Sequence, residues 1–142
     1  MFIGRHDVSV DPKGRIHLPA KVRDVLLNIY EPPLIVTVSD RRLAGYPAKQ
    51  WLGKYEQLEA GPYSPEKDDL LRAIAENAEE VPIKNGRILI PARLREYAGI
   101  ERDAVIVGRI RNIEIWSAER HKEISAKLES GELSQQLREL GF

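Results

Sequence analysis

The sequence predicts an α+β protein made of two copies of one structural unit. Residues 14–23 and 86–95 are identical at six of their ten positions. Two further blocks align in the same order, residues 34–38 with 104–108 and residues 43–48 with 113–118. In both copies, short runs rich in β-branched residues alternate with short helical segments. A repeat of this quality indicates one supersecondary unit used twice, in a body with pseudo-two-fold symmetry.

Each copy should begin with two half-buried strands joined by a tight turn. Apolar and polar residues alternate in residues 8–10 and 15–18, as in strands with one buried face. Asp11-Pro12-Lys13-Gly14 between them carries the residue preferences of a type I turn. The second copy has Lys84-Asn85-Gly86 there, and Asn-Gly is a strong hairpin signal. Two different turn sequences at one repeat position support a hairpin in both copies.

A short helix and a buried strand should follow each hairpin. Pro19 and Pro91 come directly before helix-forming residues, and proline suits the first helical position. Gly99 favours an end to the second helix. The helices are expected at residues 20–27 and 92–97, and the buried strands at residues 34–38 and 104–107.

The chain between and after the repeats should be helical. Ser64, which precedes Pro65, and Ser117 are of the residue type that caps a helix start. Leucines recur at helical spacing in the tail after Gly131. The expected division is a first repeat domain at 5–47, a helical linker at 48–75, a second repeat domain at 76–119 and a helical tail at 120–142.

One copy alone is too small to be a stable domain. A repeat core of about 40 residues lies near the lower size limit for independent folding, and its sheet edges would remain unpaired. Two copies can interleave their hairpins and close one shared barrel. We therefore expect a barrel with flanking helices, with the two turns projecting on one side.

Composition narrows the class of protein. There is no cysteine, which excludes disulfides and thiolate metal sites and fits a reducing cytoplasm. No apolar run approaches the roughly 18 residues of a membrane span. Met1 to Arg5 leads straight into a charged segment, so we expect no secretory leader. The protein is expected in the cytoplasm.

The net charge is zero, but the charges are unevenly distributed. Residues 1–25 hold five cations and three anions, and residues 81–111 hold seven cations and three anions. Residues 52–80 hold three cations and eight anions. Because the field at a surface depends on the local pattern, the basic repeats can attract a polyanion despite the neutral total.

The repeated arginines are the first candidates for binding DNA. Arg15 and Arg87 each follow a turn, where a guanidinium can reach phosphates or guanine edges. Alternatively they lie on a solvated strand face, or Arg15 pairs with Asp11. Lys13 and Lys84 at the turn tips are candidates for phosphate contacts. Arg5, Arg23, Arg93 and Arg95 form a second tier, and for Arg23 and Arg95 an internal ion pair is equally compatible. Asp11, Gly14, Asn85 and Gly86 are the expected supporting residues of the turns.

The sequence offers no recognisable catalytic or metal site. The three histidines, His6, His17 and His121, do not have metal-ligand spacing. No catalytic triad can be assigned, and there is no phosphate-binding glycine loop of either common type. We therefore expect no enzyme activity, no metal and no cofactor.

The doubled block resembles the MraZ family of bacterial proteins. The resemblance rests on residues 11–20, on residues 85–92 and on the opening Met-Phe-x-Gly, and it covers nearly the whole chain. It implies two tandem SpoVT-AbrB-type domains in a swapped-hairpin, AbrB-like barrel, and ring-shaped homo-oligomers larger than a dimer. It also implies binding to short promoter repeats of the division and cell-wall gene cluster, usually as a repressor.

The two copies differ from each other in the family signature Asp-x-x-x-Arg. Asp11 and Arg15 satisfy it in the first copy, whereas Ile83 stands four residues before Arg87 in the second. An aspartate can orient the arginine or cap the turn, and isoleucine cannot accept a hydrogen bond. We therefore expect Arg15 to contribute more to sequence discrimination, and Arg87 more to general phosphate attraction.

These observations predict a nucleoid-associated transcriptional regulator that binds double-stranded DNA sequence-specifically. One alternative is an antitoxin-type module of the same fold that clamps a toxin protein. A flexible C-terminal half would favour that alternative, and a second folded repeat disfavours it. Another alternative, a small hydrolase, would require a cleft that contains acids of perturbed pKa.

Overall fold

The structure, a computed structural model, describes residues 1–142 and contains eight strands and six helices. The strands are β1 (Arg5–Ser9), β2 (Arg15–His17), β3 (Leu34–Val38), β4 (Leu43–Pro47), β5 (Glu79–Val81), β6 (Arg87–Leu89), β7 (Asp103–Gly108) and β8 (Ile113–Ser117). The helices are α1 (Ala20–Asn28), α2 (Ala48–Glu59), α3 (Pro65–Glu76), α4 (Ala92–Ala98), α5 (Ala118–Glu129) and α6 (Ser134–Glu139). Each repeat has the order strand, strand, helix, strand, strand, helix, and one further helix follows each repeat.

The first strand of each repeat pairs with the other repeat. Strand β1 lies antiparallel to β7, and β5 lies antiparallel to β3. The six-stranded antiparallel sheet therefore has the order β1-β7-β8-β4-β3-β5. Exchanging the two repeats maps this order onto itself in reverse, so the sheet has pseudo-two-fold symmetry. The predicted α+β fold with exchanged strands is confirmed.

The two remaining strands form a separate ribbon. Strands β2 and β6 are antiparallel, and Ile16 lies directly opposite Ile88. The Leu18 N–H donates to the Gly86 carbonyl (2.9 Å), and the Ile90 N–H donates to the Gly14 carbonyl (3.0 Å). These two bonds are equivalent under the pseudo-symmetry and extend the ribbon at both ends.

The strands do not close into the expected barrel. Strands β1 and β5 remain the edges of the six-stranded sheet. Strand β2 meets the end of the first strand only through a single bridge between Val10 and Ile16. Closure fails because β2 and β6 form hydrogen bonds with each other rather than with the sheet edges. The architecture is an open sheet with a ribbon across it.

One hydrophobic core, to which both repeats contribute, lies between the ribbon and the sheet. Ile16 and Ile88 are buried there together with Val36 of β3 and the inner faces of α1 and α4. The neighbouring Thr37 points to the other side of the sheet and donates to the Ile74 carbonyl of α3 (3.4 Å). Helix α2, which has no net charge, and the acidic helix α3 therefore cover the sheet face opposite the ribbon.

The helix ends follow their local sequence. Ser64 and Ser117 cap α3 and α5, and each hydroxyl accepts the backbone N–H three residues further on (3.1 and 3.0 Å). Gly99, with φ of 69°, ends α4 as predicted. Helices α1 and α4 begin at the expected residues, directly after Pro19 and Pro91, whose extended ψ values of 143° and 146° keep them outside the helix. No helix combines the length and apolar character that spanning a membrane would require.

The ribbon should tolerate substitution only on its outward side. Ile88 is 1% exposed and the adjacent Leu89 is 51% exposed. Ile88→Ala removes buried methyl groups and leaves a cavity, so it should lower the free energy of unfolding by about 2–5 kcal/mol. Leu89→Ala should change it by no more than about 0.5 kcal/mol. Urea unfolding followed by circular dichroism measures both values, and equal losses would contradict the assigned alternation.

Candidate nucleic-acid interface

The outward side of the ribbon presents two side chains from each repeat. Side chains alternate between the two faces of a strand, and the isoleucines occupy the buried face. The opposite face, which we call the ribbon face, consists of Arg15, His17, Arg87 and Leu89. Arg15 lies directly opposite Leu89, and His17 lies directly opposite Arg87. The two arginines are diagonal neighbours, for which a Cα separation of about 7–8 Å is usual.

Asp11 organises the first turn, residues 11–14. Its carboxylate accepts the backbone N–H groups of Lys13 (2.9 Å) and Arg15 (2.8 Å), and also the Nε–H of Arg15 (2.6 Å). The Gly14 N–H donates to the Asp11 carbonyl (2.9 Å), and Gly14 has φ of 90°. This is the geometry of a three-residue hairpin loop, in which a type I turn is followed by a left-handed residue.

The same contacts control the ionisation of Asp11 and the direction of Arg15. The pKa of Asp11 is lowered from 3.8 to about 2, chiefly by the backbone N–H of Arg15 and further by its guanidinium. These effects outweigh partial desolvation, which raises the pKa. The guanidinium is bound through Nε alone, and its two terminal nitrogens make no hydrogen bond within the chain. Arg15 is therefore oriented and can still bind a ligand.

The second turn is shorter and has no carboxylate. Lys84 and Arg87 exchange backbone hydrogen bonds (2.9 and 3.0 Å), and both intervening residues have positive φ, 54° at Asn85 and 72° at Gly86. Two successive positive φ values are characteristic of a type I′ turn. The loop is one residue shorter than the first, so Lys84 takes the place opposite Arg87 that Asp11 takes opposite Arg15.

Ile83, which aligns with Asp11 in the sequence, has a different structural role. Ile83 is half-buried and packs against the hydrophobic core. An aspartate there would introduce a charge into apolar surroundings. The guanidinium of Arg87 makes no hydrogen bond or ion pair within the chain, in contrast to that of Arg15. The first arginine is thus held by a partner and the second is not.

An arginine of each repeat lies against the turn glycine of the other repeat. A Cβ added to Gly14 would lie 2.6 Å from Nε of Arg95 and 2.9 Å from the Ile90 carbonyl oxygen. Arg95 donates from Nε to that same carbonyl (3.0 Å). At Gly86 the nearest atom to an added Cβ would be Nη1 of Arg23, at 3.3 Å. Arg23 and Arg95 therefore lie against the turn glycines, and only glycine leaves room for Arg95.

The other candidate cations are at the surface. Lys13 and Lys84 are exposed and make no side-chain ion pair. The arginines of the second tier form exposed pairs, Arg5 with Asp7 (3.3 Å), Arg23 with Asp24 (3.8 Å) and Arg93 with Glu79 (3.6 Å). Pairs of this kind contribute about 0–1 kcal/mol, so they do not prevent an arginine from turning to a phosphate.

A groove beside the ribbon gathers cations from both repeats. It has a volume of about 380 Å³ and is lined by Arg15, Lys84 and Arg87, with Glu80 as its only acidic residue. Three cations against one anion make the local potential positive. The structure thereby brings together three of the four principal candidates, although Arg15 comes from a different repeat. Lys13, at the tip of the first turn, does not line the groove.

Two residues of the ribbon face, His17 and Leu89, were not among the candidates drawn from the sequence. Both are exposed, at positions where the two repeats differ from each other. Their signal was the alternation along each strand, which places every second residue on one face. The sequence does not indicate that β2 and β6 pair with each other.

Asp11 should remain ionised well below the usual pH for a carboxyl group. Because its pKa is lowered in the folded state, the ionised carboxylate stabilises the turn at any pH above about 3.8, and this contribution is lost as the pH falls through about 2. In NMR titrations the amide resonances of Lys13 and Arg15 should shift with a midpoint near pH 2. Asp11→Asn should abolish that transition. A midpoint near 3.8 would contradict the hydrogen bonding described above.

Comparison with known proteins identifies the family. A profile of the family described as "MraZ protein, putative antitoxin-like" matches residues 1–73 and again residues 74–140. The transcriptional regulator MraZ of Syntrophotalea carbinolica is 40% identical over 99% of each chain. Proteins of the same name from Clostridium beijerinckii and Lachnoclostridium phytofermentans are 37% identical over 100% and 42% identical over 84% of each chain. One match per repeat agrees with the duplication in the fold, and the chain belongs to the MraZ family.

Proposed function

We propose that this protein is a transcriptional regulator that binds double-stranded DNA sequence-specifically through the ribbon face and the two adjoining turns. The observation that carries the proposal is the meeting of Arg15 and Arg87 on one exposed surface. Two strands from different repeats create that surface. A solvated arginine in each repeat would not require such an arrangement, whereas a polyanion with two-fold symmetry matches it.

The shape and chemistry of the ribbon face suit the major groove. A two-stranded ribbon fits into this groove, where an arginine can donate two hydrogen bonds to a guanine. The free terminal nitrogens of Arg15 are the atoms that such a contact uses. Lys13 within the first turn and Lys84 at the start of the second turn are exposed and can contact phosphates on either side. The acidic helix α3 lies across the sheet from the ribbon, so it does not face the DNA.

The resemblance to the family extends the proposal to the target. We infer that the recognised sites are short promoter repeats of the division and cell-wall gene cluster, and that the protein acts there as a repressor in association with the nucleoid. Footprinting on the region upstream of the protein's own gene, at physiological salt, tests this directly. Protection of repeated short sequences is the expected result.

We further propose a closed homo-oligomer larger than a dimer. Each chain has one ribbon face, and several faces in one assembly bind repeated sites far more tightly than one face does. A single chain leaves apolar side chains uncovered at its C-terminal end, where another copy can bury them. These are Leu128, Leu133, Leu140 and Phe142.

The antitoxin alternative is weaker. It draws support from the antitoxin-like wording of the family description. An antitoxin of this fold class would keep a flexible C-terminal half to wrap its toxin. Here the C-terminal half is a second folded repeat whose strands β5, β7 and β8 belong to the central sheet. The C-terminal half is therefore part of the folded domain, rather than a free segment that could wrap a toxin.

The two arginines should contribute differently to binding. Arg15→Ala should cost about 1–3 kcal/mol of binding free energy at the preferred sequence, as loss of an oriented base contact does. Arg87→Ala should weaken all sequences alike and lower the slope of log affinity against log salt by roughly 0.9, the value for one phosphate contact. Fluorescence anisotropy over a salt series, with specific and scrambled duplexes, gives both quantities.

Arg72→Ala on α3 is the matched control, since this exposed arginine lies across the sheet from the ribbon. It should leave DNA binding unchanged. Calorimetry of Arg15→Ala separates binding from stability, and a large melting shift with intact binding would make Arg15 a structural residue. A wild-type affinity that does not change with salt would contradict the nucleic-acid interface.

Light scattering coupled to size exclusion should give a mass above twice the 16.1 kDa of one chain. Phe142→Glu and Leu140→Glu together should reduce that mass, because they place charges on the exposed apolar end. A monomer or dimer at micromolar concentration would contradict the proposed ring.

A further inference from the structure

The fold does not require a leucine at position 89. Leu89 is 51% exposed, whereas its neighbours Ile88 and Ile90 are fully buried and supply the apolar contacts of the strand. It lies directly opposite Arg15 and two residues along the strand from Arg87. A large exposed aliphatic side chain next to two arginines is poorly placed for solubility, but well placed for an apolar contact within a charged interface.

Under the pseudo-symmetry, the two halves of the ribbon face differ at only one of their two residue positions. The pseudo-symmetry exchanges Arg15 with Arg87, and it exchanges His17 with Leu89. The arginine positions are therefore occupied alike in both halves. At the remaining position one half has an imidazole, which can donate or accept a hydrogen bond, and the other half has an aliphatic group, which can do neither.

The major groove offers one exposed apolar group for such a side chain, the C5-methyl group of thymine. An imidazole finds its partners instead among the hydrogen-bonding groups of base edges or the phosphates. The cross-strand pairing places Leu89 beside Arg15, so the two residues would contact the same base pair or adjacent base pairs. His17 stands in the same relation to Arg87.

We infer that Leu89 and His17 are specificity-determining residues that make the two halves of the DNA site unequal. Leu89 reads a thymine methyl group next to the base pair contacted by Arg15, and the half that faces His17 has no such thymine. The inference rests on the proposed function, because it assumes that the ribbon face enters the major groove. It adds which base feature is read, and by which side chain.

The experiment begins with selection from a library of duplexes with a randomised centre. Wild type, Leu89→Ala, Leu89→His and His17→Leu are each used to enrich binding sequences. In the duplex that the wild type enriches, every thymine is then replaced in turn by deoxyuridine, which lacks only the methyl group. Affinities are measured by fluorescence anisotropy for the wild type and for each variant.

One replacement of thymine by deoxyuridine should weaken the wild type about fourfold, the change expected when one methyl contact is lost. Leu89→Ala should bind the thymine and deoxyuridine duplexes equally well. His17→Leu should enrich a second thymine at the symmetric position, and Leu89→His should lose the first. Leu52→Ala is the matched control, because Leu52 is 50% exposed on α2, and it should retain the wild-type preference.

The possible failures can be told apart. If the wild type enriches no sequence, the proposed function is wrong and the inference falls with it. If it enriches a sequence but Leu89→Ala has the same sensitivity to deoxyuridine, only the inference is overturned. A fall in oligomer mass for Leu89→Ala, with unchanged base preference, would assign Leu89 to a contact between copies and would also overturn the inference.

Discussion

The pairing of Ile16 with Ile88 on the pseudo-two-fold axis is the constraint on which the functional surface depends. These side chains are 0% and 1% exposed, and both repeats contribute the core that surrounds them. Because strand side chains alternate in direction, turning both isoleucines inward turns all four of their ribbon neighbours outward. A one-residue slip of the ribbon would bury arginines and expose isoleucines. The packing that buries the isoleucines in the core therefore also exposes the arginines on the ribbon face.

The exchange of strands makes each repeat incomplete without the other. Strand β1 pairs with β7, and β5 pairs with β3, so neither β1 nor β5 has a strand partner in its own repeat. The same exchange operates at the turns, where Arg95 supports Gly14 of the first turn and Arg23 lies against Gly86 of the second. These arginines, which the sequence left open between DNA contact and ion pairing, lie where they can hold the turns in place. Turn geometry thus depends on assembly of the whole domain.

Duplication has left the two halves similar in backbone and different in chemistry. The first turn carries Asp11, which orients Arg15, whereas the second carries Lys84 at the corresponding place and leaves Arg87 unpaired. Helix α3 has a buried residue, Leu71, and accepts a hydrogen bond from Thr37 of the sheet at Ile74, while its counterpart α6 has no buried residue. A symmetric frame therefore presents unequal side chains.

The sequence by itself determined the local features, namely the turns at Asp11 to Gly14 and at Asn85-Gly86, the serine caps and the helix stop at Gly99. Those features depend on neighbours in the chain, whose conformational preferences act over a few residues. Only the tertiary structure decided that β2 pairs with β6, that the strands leave the barrel open, and that His17 and Leu89 join the arginines on one face. The partners in those contacts are far apart in the chain. Their choice follows from burying both isoleucines at once, which no local pattern specifies.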